Sequence, residues 1–354
     1  MESATFSYIN DPCVSVTVCT HNTSNCQSVN SILLDTGSYG LRVFKQALGS
    51  VSLTQVKSGS GSLAECITYA DNSSTWGPVQ MADVILGNEP AVQVPIQVID
   101  STFGTIPPSC GPQQGYTPAT QPSVDGYNGI LGVGPSIQDC GSTCVSYAVG
   151  QYYKCGSSCS GTTVPLSNQV SNPVASLPLD SNNGLIVELP GIAAGGTTSV
   201  TGSLVFGIGT QSNNLTSGVT AYTLDQYNQF TTTFNNVTYN GSFIDTGSNE
   251  YYFSSSGILP TCTDYTSNYC PSTVTSLSAI ITGASGSPSN TVSFRVGNFS
   301  SLWNAANWVF DDVAGELGGT GGFDWGLPFY FGRNVYIGFE GMSSSLGTGP
   351  YFAY

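Results

Sequence analysis

Two stretches of this 354-residue chain deliver an aspartate in the same way. Ser31-Ile32-Leu33-Leu34-Asp35-Thr36-Gly37-Ser38 recurs, 210 residues on, as Gly241-Ser242-Phe243-Ile244-Asp245-Thr246-Gly247-Ser248. In each copy an apolar strand ends in Asp and passes into Thr-Gly-Ser. Carboxylates brought face to face cannot both ionise cheaply, so such a pair shares a proton. The ionised member can then act as general base and the protonated one as general acid. Each copy also has a second apolar-glycine element downstream, Asn128 to Gly134 (NGILGVG) after the first and Phe323 to Phe329 (FDWGLPF) after the second. A single Asp-Thr-Gly is also an ordinary hairpin turn. Two copies, each with its downstream partner, point to a duplicated lobe.

Other chemistries fit less well. The only histidine, His21, lies in the loop between Cys19 and Cys26; neither an orienting partner nor a nucleophile elbow is apparent in the sequence, and it is expected at the surface. A histidine-based metal site lacks ligands. Glycosidases also use two carboxylates, but that chemistry does not call for a duplicated Asp-Thr-Gly.

The elements that must position these residues are β-strands. Gly (43) and Pro (19) are abundant, and the apolar stretches are short and rich in β-branched and aromatic residues. Strands are expected at Cys13 to Cys19, Val92 to Ile99, Gly184 to Leu189 and Val335 to Phe339. Brief helices are expected near Val43 to Leu48, Gln169 to Leu177 and Ser301 to Trp308. The class is all-β.

Charge narrows the partners. Six basic residues against 21 acidic ones give a net charge of −15, too few cations to track a phosphate backbone or an anionic membrane surface. A nucleic-acid partner is excluded on this ground. No apolar run is long enough to span a bilayer. Eleven cysteines indicate an oxidising compartment. They fall into close pairs, Cys19 with Cys26, Cys140 with Cys144, Cys155 with Cys159 and Cys262 with Cys270. Cys66 with Cys110 would make a longer bridge, leaving Cys13 odd and expected to be buried or artefactual. Crosswise pairing within 140–159, and a four-thiolate zinc site from CGSTC and CGSSC, are the alternatives there. No signal peptide is visible at Met1-Glu2-Ser3, so the reading is an exported chain (secreted, periplasmic or cell-surface) trimmed of its export signal, with Met1 added.

At this point the chain resembles the pepsin-like aspartic peptidases over most of its length. Glu65-Cys66-Ile67-Thr68-Tyr69-Ala70-Asp71 looks like the strand entering the flap, with Tyr69 in the place of the flap tyrosine. Asn128 to Gly134 resembles the segment closing the first lobe's active-site loop, and Gly202 to Gly207 the start of the second lobe. Leu327 to Phe331 followed by Val335 to Phe339 resembles that lobe's final strands. More narrowly, Asp-Thr-Gly-Ser-x-Gly-Leu-Arg together with FDWGLPF looks like a bacterial exported family of this fold without an assigned role. The resemblance implies an all-β, bilobal fold of two duplicated β lobes around a central cleft, with lobes at residues 1–175 and 176–354. It implies that Asp35 and Asp245 share the attacking water in hydrolysing peptide bonds at acidic pH. Thr36 and Thr246 would lock the two turns together, Gly37 and Gly247 would permit the tight turns, and Ser38 and Ser248 would bond the catalytic carboxylates. No metal or cofactor is implied, and a monomer is expected.

Several residues depart from the family's pattern. Arg42 stands where a tryptophan usually supports the flap tyrosine; it either forms a structural ion pair or lines the cleft. Asp71, near the flap tip, either pairs with Arg42 or is solvated. Trp76 supports Tyr69 or belongs to ordinary flap packing. Glu250 either adds charge near the dyad or points into solvent. These departures leave a second reading from a different class, a pepsin-fold protein that binds a peptide or protein partner without cutting it.

Overall fold

The structure, a computed structural model, describes residues 8–317 and 321–354, and the Met1-Glu2-Ser3 start lies outside them. It is all-β. The α-helices among the described residues are the short Pro122–Asp125, Gly141–Ser146 and Phe299–Trp303, joined by single 3-10 turns. No helix among these residues is long and apolar enough to cross a membrane. Strands form at Cys13–Cys19, Val92–Ile99 and Gly184–Leu189 as the β-branched runs predict, and the last expected strand spans Arg333–Gly338. The three expected helices shrink to the 3-10 turns Lys45–Leu48 and Pro173–Ser176 and the helix Phe299–Trp303. Asn298 starts that helix by accepting from the Ser301 N–H.

Internal contacts divide the chain into two compact units. One holds Cys13–Leu34 and Ser38–Leu177; the other holds Pro178–Tyr354 together with the turn Asp35–Gly37. The first Asp-Thr-Gly turn therefore belongs, by its contacts, with the second aspartate.

The first unit is built on one 12-stranded sheet. Its main path runs Cys13–Cys19, Cys26–Asp35, Gly129–Val133, Tyr39–Phe44, Val92–Ile99, Ser73–Ile85, Gly61–Thr68, Tyr152–Cys155, Cys159–Gly161. Cys13–Cys19 also pairs with the far end of Ser73–Ile85, through Thr17 to Ile85 and Cys19 to Asp83. That pairing closes six strands on themselves in a barrel-like ring and removes exposed edges there.

The second unit has a five-stranded and a seven-stranded sheet. Alternation is plain in Phe230–Phe234, where both Phe residues and Thr232 are buried and the intervening threonines are half-buried. Its core is aromatic: Phe253 stacks on Phe323 at 4.7 Å, Phe323 on Trp325 at 4.5 Å, and Phe294 meets Trp325 edge-on at 5.4 Å. Such pairs add about 0.5–1.5 kcal/mol each beyond their buried area, so this cluster holds the Asp324–Trp325 strand firmly.

The two units repeat one strand arrangement around their aspartates. In the first, the order is Cys26–Asp35, Gly129–Val133, Tyr39–Phe44, Val92–Ile99; in the second it is Val237–Ile244, Asp324–Trp325, Tyr251–Tyr252, Ala314–Gly315. Tyr39–Phe44 runs antiparallel to Gly129–Val133 and parallel to Val92–Ile99, and Tyr251–Tyr252 runs antiparallel to Asp324–Trp325 and parallel to Ala314–Gly315. The register repeats as well. Leu41 faces Leu131 and Arg42 faces Ile130, while Tyr251 faces Trp325 and Tyr252 faces Asp324.

Five disulfides close where the spacing predicts, at Cys19–Cys26, Cys66–Cys110, Cys140–Cys144, Cys155–Cys159 and Cys262–Cys270. Pairing within 140–159 is thus local, not crosswise, and the four sulfurs of the zinc alternative are taken up in disulfides. Cys13 stands outside the five and is exposed, which corrects the expectation that it is buried. It begins a strand whose inward positions are taken by valines such as Val16 and Val18.

Candidate active site

The two Asp-Thr-Gly turns are joined by a reciprocal pair of hydrogen bonds. The Thr36 N–H donates to Thr246 Oγ1 at 3.0 Å, and the Thr246 N–H donates to Thr36 Oγ1 at 2.9 Å. Both threonines are buried, so each bond satisfies a donor that water cannot reach. The Tyr330 hydroxyl adds a 2.7 Å hydrogen bond to Thr36 Oγ1 from the turn after FDWG. Burial pushes the Tyr330 hydroxyl well above its ordinary range, so it stays a neutral hydrogen-bonding group.

Each carboxylate is then held by its own turn. The Gly37 N–H donates to Asp35 Oδ1 at 2.8 Å, and the Gly247 N–H donates to Asp245 Oδ1 at 2.7 Å. The glycines also face the opposite acids. A Cβ on Gly37 would lie 2.4 Å from Asp245 Cγ, and one on Gly247 would lie 2.8 Å from Asp35 Oδ1. No side chain fits at either position, which is why the turn needs Gly. Ser248 Oγ donates to Asp245 Oδ2 at 3.1 Å. Its counterpart Ser38 lies in the first unit, where its carbonyl accepts from the Gly134 N–H at 2.9 Å.

Asp35 is buried and Asp245 partly accessible. Burial, then the neighbouring Asp35 and Asp324, push the Asp245 carboxyl well above the ordinary carboxylate range. The pair therefore keeps one proton where isolated aspartates would have lost theirs. Such a pair can accept a proton at one carboxylate and donate one from the other.

The remaining residues singled out in the sequence fall elsewhere. Arg42 is 1% exposed inside the first unit. One of its terminal nitrogens bonds Asp139 Oδ2 at 2.9 Å and Glu65 Oε1 at 3.3 Å, and the other donates to the Tyr39 carbonyl at 2.7 Å. Tyr152 donates to Asp139 Oδ1 at 2.6 Å. Burial alone would lower the Arg42 pKa, but the two carboxylates outweigh it and raise it. Burial first, then Glu65, push Asp139 well above its ordinary range, against the pull of Arg42. Of the two roles open to Arg42, the structure has the ion pair; a guanidinium enclosed by these partners lines no open surface.

Asp71 is exposed and accepts from the Ser73 N–H at 2.8 Å, capping the tight turn that brings Tyr69 N–H to the Ser73 carbonyl at 2.9 Å. It does not reach Arg42, whose terminal nitrogens are occupied by buried partners. Tyr69 is half-buried at the start of that turn. Trp76 is fully buried beside Cys66 and Cys110, meets Tyr153 edge-on at 5.5 Å and donates to the Phe103 carbonyl at 2.8 Å. This is ordinary core packing. Glu250 corrects its expectation: it is 4% exposed, and both oxygens accept from Asn268 Nδ2, at 2.8 and 2.7 Å. Burial pushes its carboxyl up to about 7, against the Asn268 hydrogen bond. His21 is exposed and paired with Asp83 at 2.8 Å.

Asp324 is the residue that sequence reasoning passed over. Flanked by Phe323 and Trp325 in FDWGLPF, it is 4% exposed and hydrogen-bonded to Ser248, and burial pushes its carboxyl well above the usual range. An acid between two aromatic residues is the one signal that could have marked it. Glu65 and Asp139 were likewise missed. No group of three or more His, Cys, Asp or Glu among the described residues is arranged to hold a metal ion. A cavity of about 320 Å³ in the second unit, with Tyr251, Arg295, Asp311, Phe331 and Arg333 in its wall, includes none of the residues of the two aspartate turns.

No curated protein matches this chain. A family model described as a protein of unknown function, DUF3443, matches residues 1–354, and the chain belongs to that family.

Proposed function

We propose that the chain is an aspartic endopeptidase of the pepsin-like, bilobal kind, hydrolysing peptide bonds at acidic pH in an exported location. The observation that carries this reading is the reciprocal Thr36–Thr246 lock, with each turn's glycine set against the opposite carboxylate. A hairpin turn has no need of such an arrangement; a proton-sharing acid pair does. The matching strand order and register around both aspartates add to it, and five disulfides suit an oxidising compartment.

In this mechanism the ionised carboxylate takes a proton from the attacking water, and the protonated one hydrogen-bonds and then protonates the substrate carbonyl oxygen. The tetrahedral adduct collapses as the leaving nitrogen is protonated. The raised Asp245 carboxyl sets the sign of the pH dependence. The singly protonated pair persists above the ordinary aspartate range and is lost as pH rises through the raised value.

The test is cleavage of a mixed peptide library at several pH values, with and without pepstatin, beside Asp35→Asn and Asp245→Asn. Each substitution is expected to lower turnover by about 10²–10⁴-fold at the acid optimum. Cleavage that persists in either variant would exclude the shared-water mechanism. No cleavage by the unsubstituted protein at any pH would favour a peptide-binding role for the same site.

A further inference from the structure

We infer that Asp324 is a third acid of the aspartate site, a neutral carboxylic acid that donates to the Ser248 hydroxyl and so directs that hydroxyl's single proton onto Asp245. Its part in catalysis rests on the peptidase reading; the hydrogen-bond assignment does not.

The argument begins with alternation along a strand. Phe323 and Trp325 both enter the aromatic core, stacked at 4.5 Å, so the residue between them points to the opposite face of the sheet. The parallel register with Phe243 and Ile244 sets that face beside the strand that ends at Asp245, whose N–H donates to the Trp325 carbonyl at 3.1 Å. In the first unit the matching position, the residue opposite Arg42, is Ile130, also buried. The sheet therefore needs no acid there to form, yet the second copy has one.

Proton counting fixes its state. A serine hydroxyl has one proton and two acceptor lone pairs. Ser248 Oγ donates that proton to Asp245 Oδ2 at 3.1 Å and is also hydrogen-bonded to Asp324. If the proton goes to Asp245, the Asp324 side of the contact must supply its own, and only the neutral acid can. The second oxygen of Asp324, Oδ1, is buried with no hydrogen-bond partner, a setting tolerable for a neutral carbonyl oxygen and costly for half of a carboxylate. The titratable groups facing it are Asp245 from the same sheet, Asp35 from the first turn and Tyr330 from the turn that follows. Tyr252 is its cross-strand neighbour. No cation is among them, and burial raises Asp324, with Asp35 adding to it, against the pull of the Ser248 hydrogen bond.

The consequence is a chain from Asp324 through Ser248 to Asp245. It keeps a donor on Asp245 while Asp324 is protonated. When Asp324 loses its proton, the Ser248 hydroxyl has a second carboxylate to answer, and Asp245 gains a negative neighbour. The alkaline limb of activity then contains the ionisation of Asp324 as well as that of the pair.

Infrared difference spectroscopy on the whole chain, without substrate and at neutral pH, tests this. Asp324→Asn is expected to lose one protonated-carboxyl stretch present in the unsubstituted protein. Ser248→Ala is expected to keep that stretch but shift it, because its acceptor is gone. In peptide cleavage, Asp324→Asn should move the alkaline limb to lower pH, because the carboxylate charge that raises Asp245 is gone. No lost stretch in Asp324→Asn, or an unshifted stretch in Ser248→Ala, overturns the assignment. An alkaline limb identical to the unsubstituted protein's overturns the coupling. If Asp324→Asn does not fold, the Ser248→Ala spectrum decides. If the unsubstituted protein cleaves nothing, the spectra still fix the state of Asp324, and it is the peptidase reading that fails.

Discussion

Seven residues after Asp35 stands Arg42, and seven after Asp245 stands Tyr252. Across the neighbouring strand these face Ile130 and Asp324, in the same register. One arrangement has thus been filled with two kinds of charge. The first copy keeps a cation, enclosed by Glu65 and Asp139, and presents an apolar residue at the position that abuts the aspartate strand. The second copy keeps an acid there, with no cation beside it. Because the backbone scheme is shared, the difference lies in side chains alone: one copy sets a cation among its buried carboxyls, and the other buries its carboxyls with no cation beside them. Arg42 keeps its charge at any ordinary pH, whereas the second copy has no such fixed charge beside Asp324.

Substitutions at matching positions can break the comparison. Arg42→Met strands two buried carboxyl groups and should cost about 3–5 kcal/mol near neutral pH, read by denaturant unfolding. Tyr252→Met at the matching position should cost only about 1 kcal/mol. Equal losses would mean that the two copies do not manage charge differently.

Glu250 sharpens the second half. It follows Asp245 by five residues, where the first copy has Gly40. Its carboxyl is raised from 4.5 to about 7, so the folded state holds a proton that the unfolded chain has already released. Stability therefore falls as pH rises between those values and levels off above them. Glu250→Gln should be more stable than the unsubstituted protein by as much as about 3 kcal/mol above that window, and no different well below it. A gain of equal size in acid would show that ionisation of Glu250 is not the cause. Asp71→Ala is the smallest test. It removes one exposed turn contact in the first unit and should cost about 0.5–1 kcal/mol. A loss as large as that of Arg42→Met would mean that the two residues are coupled after all.

What could be read from the sequence follows from the range of each signal. Short β-branched runs and close cysteine pairs are local, and Cys13–Cys19, Val92–Ile99 and the Cys155–Cys159 bridge appear where those signals lie. The duplicated turn was legible because both copies keep the same eight-residue pattern. The cage around Arg42 was not, since Asp139 lies 97 residues away and meets it only through the fold. Glu250 was misjudged because a polar residue just after a turn looks solvated until Asn268 is brought against it. Asp324 sat in a quoted motif, but its neighbours gave only its facing, not what it would face.

The placement of the Asp35–Gly37 turn with the second unit has a kinetic meaning. Thr36 and Thr246 are 210 residues apart, and closing a loop of that length costs about 5 kcal/mol in chain entropy. Two neutral hydrogen bonds return about 1–3 kcal/mol in all, so they cannot draw the turns together unaided. Strand pairing elsewhere in the chain must already have shortened the effective loop before the lock can close. The acid pair is then among the last parts of the molecule to form. A proton held at the pair would then report that the lock has closed.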